Sequence, residues 1–178
     1  SPRRTPREPT GLAGSGAGRR LLEIGYGNGA FFGWARNNGF EVVGIEAQPV
    51  LLERAREAGW SVAASWDDLD AAAPFDLVVA IDVVEHLSPE QCSDFLAAAA
   101  RRLAPAGHIL LRVPNGDSPF GRTNQHGDLT HTATYGLSKL RQLAAMHGLE
   151  VAAHGEAPWS RNETMARSAT GLLRAAAR

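Results

Sequence analysis

Three glycines alternate in Gly25-Tyr26-Gly27-Asn28-Gly29, directly behind a short apolar run that contains one acid, Glu23. Glycines so spaced let backbone come close to a ligand, because no Cβ stands in the way. Gly25, Gly27 and Ala30 satisfy the G-x-G-x-x-G/A pattern that cradles a dinucleotide pyrophosphate. Glu46 follows Gly25 by 21 residues, where such folds place a ribose-binding acid. A nicotinamide or flavin cofactor is therefore one reading. A nucleoside triphosphate loop is excluded, since no Gly-Lys-Ser/Thr follows. Glu23 pulls away from the dinucleotide, whose binders keep an apolar residue there. A carboxylate at that place accepts hydrogen bonds from a cationic ligand group or from loop amides, and the whole stretch reads E-x-G-x-G-x-G.

A second set of reactive side chains lies downstream. Asp82, Glu85 and His86 follow the apolar run 75–81, and the long stretch 114–136 gathers Arg122, Asn124, Gln125, His126, Asp128 and His131. Imidazole titrates near neutrality and can take the proton of a hydroxyl, so His86, His126 and His131 are the candidate catalytic residues. His126, Asp128 and His131 do not follow a recognised zinc spacing, and Cys92 is the sole cysteine. No metal is expected, and a polar substrate pocket is. Tyr135 and Lys139 have the Tyr-x-x-x-Lys spacing of hydride-transfer enzymes, but they straddle the start of a helix.

The elements that must position these groups alternate along the chain. Strands are expected at 20–25, 41–46, 60–64, 75–81, 107–113 and 149–155. Helices are expected at 30–38, 49–58, 89–103 and 137–147. Pro49 and Gly59 bracket the second helix, Ser88 is the N-cap of the third with Pro89 and Gln91 behind it, and Gly148 closes the fourth. Short apolar strands alternating with helices imply an α/β fold with a doubly wound, mostly parallel sheet and helices on both faces. Ligands then sit beyond the carboxyl ends of the strands, which is where the glycine loop, Glu46, Asp82 and the 114–136 loop fall.

Taken in order, RLLEIGYGNGAFFGWARNNGFEVVGIE at 20–46 and FDLVVAIDVVEHLSPEQCSDFLAAAARRLAPAGHILLRVPN from 75 onward resemble class I S-adenosylmethionine-dependent methyltransferases, with a Rossmann-like fold, over about 20–155. The resemblance implies S-adenosylmethionine as cofactor. It implies that Gly25, Gly27 and Gly29 admit the ribose and amino-acid tail, that Glu23 orients the loop and the cofactor's amino group, and that Glu46 takes both ribose hydroxyls. Ala47 flanks the adenine, Trp66 stacks on it or packs in the core, and Asp67 accepts from its exocyclic amine. Tyr26 contacts the methionine tail or packs, and Asp82 is a cofactor-side position. Val113-Pro114-Asn115 and the loop behind it are similar to members linked to sugar, polysaccharide or small-molecule biosynthesis, which implies O-methylation of a sugar or another polar small molecule. Two alternatives stay open: an NAD-dependent oxidoreductase, and a non-catalytic methyltransferase-like binding module.

The chain departs from that pattern at its ends. Residues 1–19 read as a flexible Pro/Gly leader before a single domain at 20–178. Residues 163–177 read as an alanine-rich helix, so the terminal antiparallel strand of the family is expected to be missing. The sheet edge would then be covered by that helix or in a homodimer.

The chain has 178 residues, 44% hydrophobic and 21% charged, with a net charge of −1. That suits one globular domain. Five arginines stand against one glutamate in residues 1–20 and four against Glu163 in 159–178, which leaves the middle acidic. Neither end interleaves aromatics with its arginines, so no nucleic-acid partner is expected. No signal peptide or membrane-spanning run is read, and the lone cysteine points to a cytoplasmic location.

Overall fold

Adjacent leucines on the first strand set the architecture. Leu21 and Leu22 are both fully buried although they face opposite sides of the strand, so both faces of the sheet must be covered. The computed structural model describes residues 16–70, 73–119, 125–156 and 168–176. In chain order it contains β1 (Arg20–Ile24), α1 (Ala30–Asn37), β2 (Glu41–Ile45), α2 (Pro49–Glu57), β3 (Ser61–Ala63), β4 (Phe75–Ile81), α3 (Pro89–Arg102), β5 (Leu103–Pro114), α4 (Leu137–Met146), β6 (Leu149–Glu156) and β7 (Ser168–Ala175). Single 3-10 turns lie at Trp66–Asp68 and Val84–His86. The expected strands and helices up to residue 156 are present, with ends shifted by a few residues. The largest shift is in β5, which begins at Leu103 and carries a register irregularity against β4 before settling into Leu77↔His108.

The sheet has seven strands in the order β3-β2-β1-β4-β5-β7-β6. The first five run parallel, and β7 lies antiparallel between β5 and β6. This corrects the reading of 163–177 as a helix where the chain is described, at 168–176, and of the terminal strand as missing; 163–167 and 177 lie outside the described residues. Residues 168–175 form the strand, pairing Leu173 with Ile109 of β5 and with Val151 of β6. Alanine, leucine and arginine favour helix when nothing else decides, but two open strand edges offered this segment hydrogen bonds on both sides. With that slot filled, the reason for expecting a helix or a homodimer to cover it is gone.

Side chains on one face of the sheet join α3 and α4 in a core built around Leu22, Val78, Leu96, Ile109 and Leu140. Those on the other join α1 in a second core around Leu21, Phe32, Leu77 and Val79. Helix α3 opens with a full capping box: Gln91 N donates to Ser88 Oγ at 3.3 Å and Ser88 N to Gln91 Oε1 at 2.8 Å. The strand order reverses direction between β1 and β4, and the carboxyl ends of these two neighbours carry the residues described next.

Candidate active site

β1 ends at Ile24 and the chain turns sharply, with Gly25, Gly27 and Gly29 all at positive φ. The flanking two are also required by packing. A Cβ on Gly25 would stand 2.8 Å from Val83 Cγ2, and one on Gly29 only 2.2 Å from the Trp60 ring. Gly27 differs: a Cβ there would meet nothing within 4 Å. Its backbone borders open space, as a ligand cradle requires. Glu46, buried just past β2, holds this loop. Its Oε2 accepts from Gly27 N at 3.1 Å and its Oε1 from Gln48 N at 3.0 Å. The carboxylate thus points into the loop rather than into water, and each oxygen keeps a lone-pair direction for a further donor.

Glu23, three residues before Tyr26 on β1, is 3% exposed, and its Oε2 has no hydrogen-bond partner. Burial pushes its carboxyl up from 4.5 to about 8. A carboxyl so placed favours a cationic neighbour, which would draw it back to its charged form. Tyr26 turns into the core. Its ring meets Phe32 and Trp60 edge-on, and its hydroxyl donates to Leu51 O at 3.3 Å. Of the two roles expected for it, the side chain fills the packing one. Gly44 on β2 makes room, since a Cβ there would lie 2.6 Å from Tyr26 Cδ1. Ala47 is exposed beside Glu46. Trp66 also packs, its ring edge-on to Phe95 with centroids 5.9 Å apart, while Asp67 is exposed.

Asp82 caps the end of β4 in a left-handed conformation, φ 55°, with its amide donating to Arg112 O at 2.9 Å. Its carboxylate is held by the Arg112 guanidinium through two hydrogen bonds. The side chain is therefore engaged on β5, and the next residue, Val83, lies against Gly25 of the glycine loop. Arg112 was not singled out by sequence reasoning, because nothing in a strand sequence tells which way an arginine turns.

Three residues past Asp82, Glu85 is 3% exposed and its Oε2 has no partner. Burial is the first cause that raises its carboxyl pKa. Nearby Asp82 adds to the rise, while its own backbone amide, His86 and His131 oppose it. Its main-chain oxygen accepts from Thr132 N at 2.9 Å and Ala133 N at 3.2 Å, which ties the 125–135 segment down over the β4 end. Asp117 anchors the other side of the segment by accepting from Leu137 N at 2.7 Å, at the start of α4.

These anchors bring His131 against His86, with ring centroids 4.8 Å apart at 71°. His86 Nδ1 lies 3.2 Å from Thr130 O and 3.0 Å from Thr130 Oγ1, whose hydrogen goes to Asp128 Oδ1 at 2.6 Å. Both Thr130 atoms are then acceptors toward the ring. Nδ1 carries the hydrogen, and Nε2 keeps the lone pair. His131 Nδ1 is buried without a partner. The structure therefore joins His86 and His131, and it adds Glu85 and Thr130. Of the expected loop group, Asp128 supports Thr130, and His126 is exposed and outside the Glu85–His86–His131 grouping. Arg122 and Asn124 lie outside the described residues.

The hydride-transfer alternative loses its residue pair. Tyr135 is 2% exposed, donates its hydroxyl to Leu87 O at 3.0 Å, and is pushed to a higher pKa chiefly by burial. Lys139 binds the Thr134 carbonyl.

A seven-stranded, mostly parallel sheet with one antiparallel strand and a glycine loop at its switch point defines a Rossmann-like fold of the methyltransferase kind. Residues 3–154 match the family model of a methyltransferase domain, and the chain belongs to that family, within the class I S-adenosylmethionine-dependent methyltransferases. It is similar to a ubiquinone biosynthesis O-methyltransferase of Caulobacter sp. (strain K31), 32% identical over 107 residues, 55% of this chain and 42% of that one. The match thus spans less than half the length of this curated relative. Among solved structures, an S-adenosylmethionine-dependent methyltransferase of Archaeoglobus fulgidus superposes with a TM-score of 0.70 at 19% identity, covering 89% of this chain and 86% of that one. Another of Mesorhizobium loti gives a TM-score of 0.70 at 16% identity, with 90% and 93% covered. These two likenesses establish the shared fold.

Proposed function

We propose that the protein transfers the methyl group of S-adenosylmethionine to a hydroxyl oxygen of a polar small molecule, a sugar or a related acceptor. The observation that carries this reading is the open backbone at Gly27, clamped by the buried carboxylate of Glu46. The ribose hydroxyls would bind that carboxylate, and the amino group of the cofactor's tail would pair with Glu23. Glycine loop and histidine pair are physically joined, since Gly25 packs on Val83 and His86 follows three residues later. The sulfonium methyl and the acceptor oxygen would therefore meet between them.

In the reaction the S–CH3 bond breaks, an O–CH3 bond forms in line, and S-adenosylhomocysteine leaves with a neutral sulfur. The acceptor hydroxyl gives up its proton, and the Glu85–His86–His131 group is where that loss is assisted. The name of the Caulobacter relative, an O-methyltransferase, supports oxygen as the acceptor atom. Donors and acceptors along 114–136 support a polar acceptor. The single free, buried Cys92 fits a reducing, cytoplasmic setting. Among the described residues no helix is long and apolar enough to cross a membrane.

The test is a turnover assay with labelled S-adenosylmethionine and separate panels of sugars, phenols and amines. Product labelled on oxygen from the sugar panel is expected. Label appearing only on amines would overturn the choice of oxygen, and transfer confined to phenols would overturn the sugar-like acceptor.

A further inference from the structure

Glu85, His86 and His131 each offer a ligand-capable atom, and these atoms all lie within 4.8 Å of one another. Two unpartnered buried polar atoms belong to this group, Glu85 Oε2 and His131 Nδ1. A buried polar atom left without a partner costs about 1–3 kcal/mol, so a fold that keeps two of them on residues of one close group is organised for something that satisfies both. We propose that the group binds a divalent transition-metal ion, of the zinc or manganese kind, through one carboxylate and two imidazoles. This deepens the reading under Proposed function: the ion would receive the acceptor's hydroxyl oxygen.

The chemistry of the donors selects the ion. Two imidazoles beside one carboxylate suit zinc, manganese or iron(II), whereas magnesium and calcium take oxygen donors and gain little from imidazole. Three protein ligands are the number found in catalytic sites that keep a position open for water or substrate. Ligand atoms held at about 2.0–2.2 Å from one ion stand at most about 4.4 Å apart. A separation of up to 4.8 Å needs only a small side-chain rotation to close. His86 is already oriented as a ligand should be. Its Nδ1–H is fixed on Thr130, Thr130 is fixed on Asp128, and the remaining lone pair is on Nε2. Ligating histidines commonly have their second nitrogen held in this way, which sets tautomer and ring angle. The loop that delivers His131 is tied to Glu85's own carbonyl, so both ligands are carried by one hydrogen-bonded unit.

Bound there, the ion would lower the pKa of a coordinated hydroxyl. The proton would pass to solvent, the oxygen would attack the methyl group, and the ion would be unchanged at the end.

The experiment is a titration of the chelator-treated full chain with Co2+, read by its visible absorption, and with Zn2+ by calorimetry. S-adenosylhomocysteine binding is measured in parallel without metal. One ion per chain is expected. His131→Asn and Glu85→Gln should each weaken it at least tenfold, with S-adenosylhomocysteine affinity kept within twofold as proof of folding. Thr130→Val, which removes the Thr130 Oγ1 bonds to His86 Nδ1 and Asp128 but keeps the Thr130 carbonyl on Nδ1, should weaken it less and shift the Co2+ spectrum. Less than one-tenth of an ion bound per chain, or binding unaffected by all three substitutions, overturns the site and leaves the methyltransferase reading standing. Metal bound with no affinity for S-adenosylhomocysteine supports the site and sinks that reading instead.

Discussion

Glu23 offers the sharpest physical test, because its burial has a sign and a size. Its carboxyl, 3% exposed with Oε2 unpartnered, is raised from 4.5 to about 8 by burial. In the folded protein it holds a proton that the unfolded chain has already lost above pH 4.5. The folded state therefore binds more protons between these values, and stability falls as pH rises from about 4.5 to about 8, then levels off. Each pKa unit corresponds to about 1.4 kcal/mol, which sets a ceiling near 5 kcal/mol for the whole effect; water entry and local relaxation reduce it to about 2–5 kcal/mol. Glu23→Gln keeps the shape and removes the titration. Urea unfolding of both proteins from pH 5 to 8.5 isolates the term, since every other titrating group is shared. The wild type should lose at least about 2 kcal/mol relative to the variant over that range. A difference that stays constant within about 0.5 kcal/mol would refute the argument, because Glu23 would then have found water or a partner.

Further outcomes follow from the same geometry. Glu46→Gln removes a charged acceptor from the proposed ribose site and should weaken S-adenosylhomocysteine by roughly 10- to 100-fold in calorimetry, the scale of one or two charge-assisted hydrogen bonds. Gly27→Ala should cost only about 1–2 kcal/mol of stability, the strain of a side chain at φ 51° with no clash, yet lower cofactor affinity more than tenfold. Gly44→Ala drives a Cβ to 2.6 Å from Tyr26 Cδ1 and should destabilise the fold by about 1–3 kcal/mol in urea titration. His86→Asn should reduce turnover at least tenfold while S-adenosylhomocysteine affinity changes less than twofold, as a residue that serves the acceptor rather than the cofactor requires.

The order of elements through residue 156 was legible because burial on both faces of a parallel sheet leaves continuous apolar runs, and because Ser88, Pro49 and Gly59 mark helix ends by local chemistry. The glycine loop was equally legible, although two of its three glycines are also required by Val83 and Trp60, contacts no linear pattern displays. The last strand was not legible. Its residues favour helix, and its strand character comes from pairing with β5 and β6, which are distant in sequence. At the proposed acceptor site His86 and His131 were visible as residue types, but their meeting depends on Glu85's carbonyl capturing the loop at Thr132 and Ala133. For the same reason the grouping expected inside the loop, with His126, gave way to one built across it. Tyr26 and Trp66 illustrate a further limit, since an aromatic beside a cofactor loop reads alike whether it lines the cleft or fills the core.

The most direct measurement is a crystal structure of the protein with S-adenosylhomocysteine bound. The account predicts the nucleoside lying over Gly27, with both ribose hydroxyls donating to Glu46 at about 2.5–3.0 Å, the range of hydrogen bonds to a carboxylate. A nucleoside bound elsewhere, or lying over the loop with neither hydroxyl on Glu46, would contradict it.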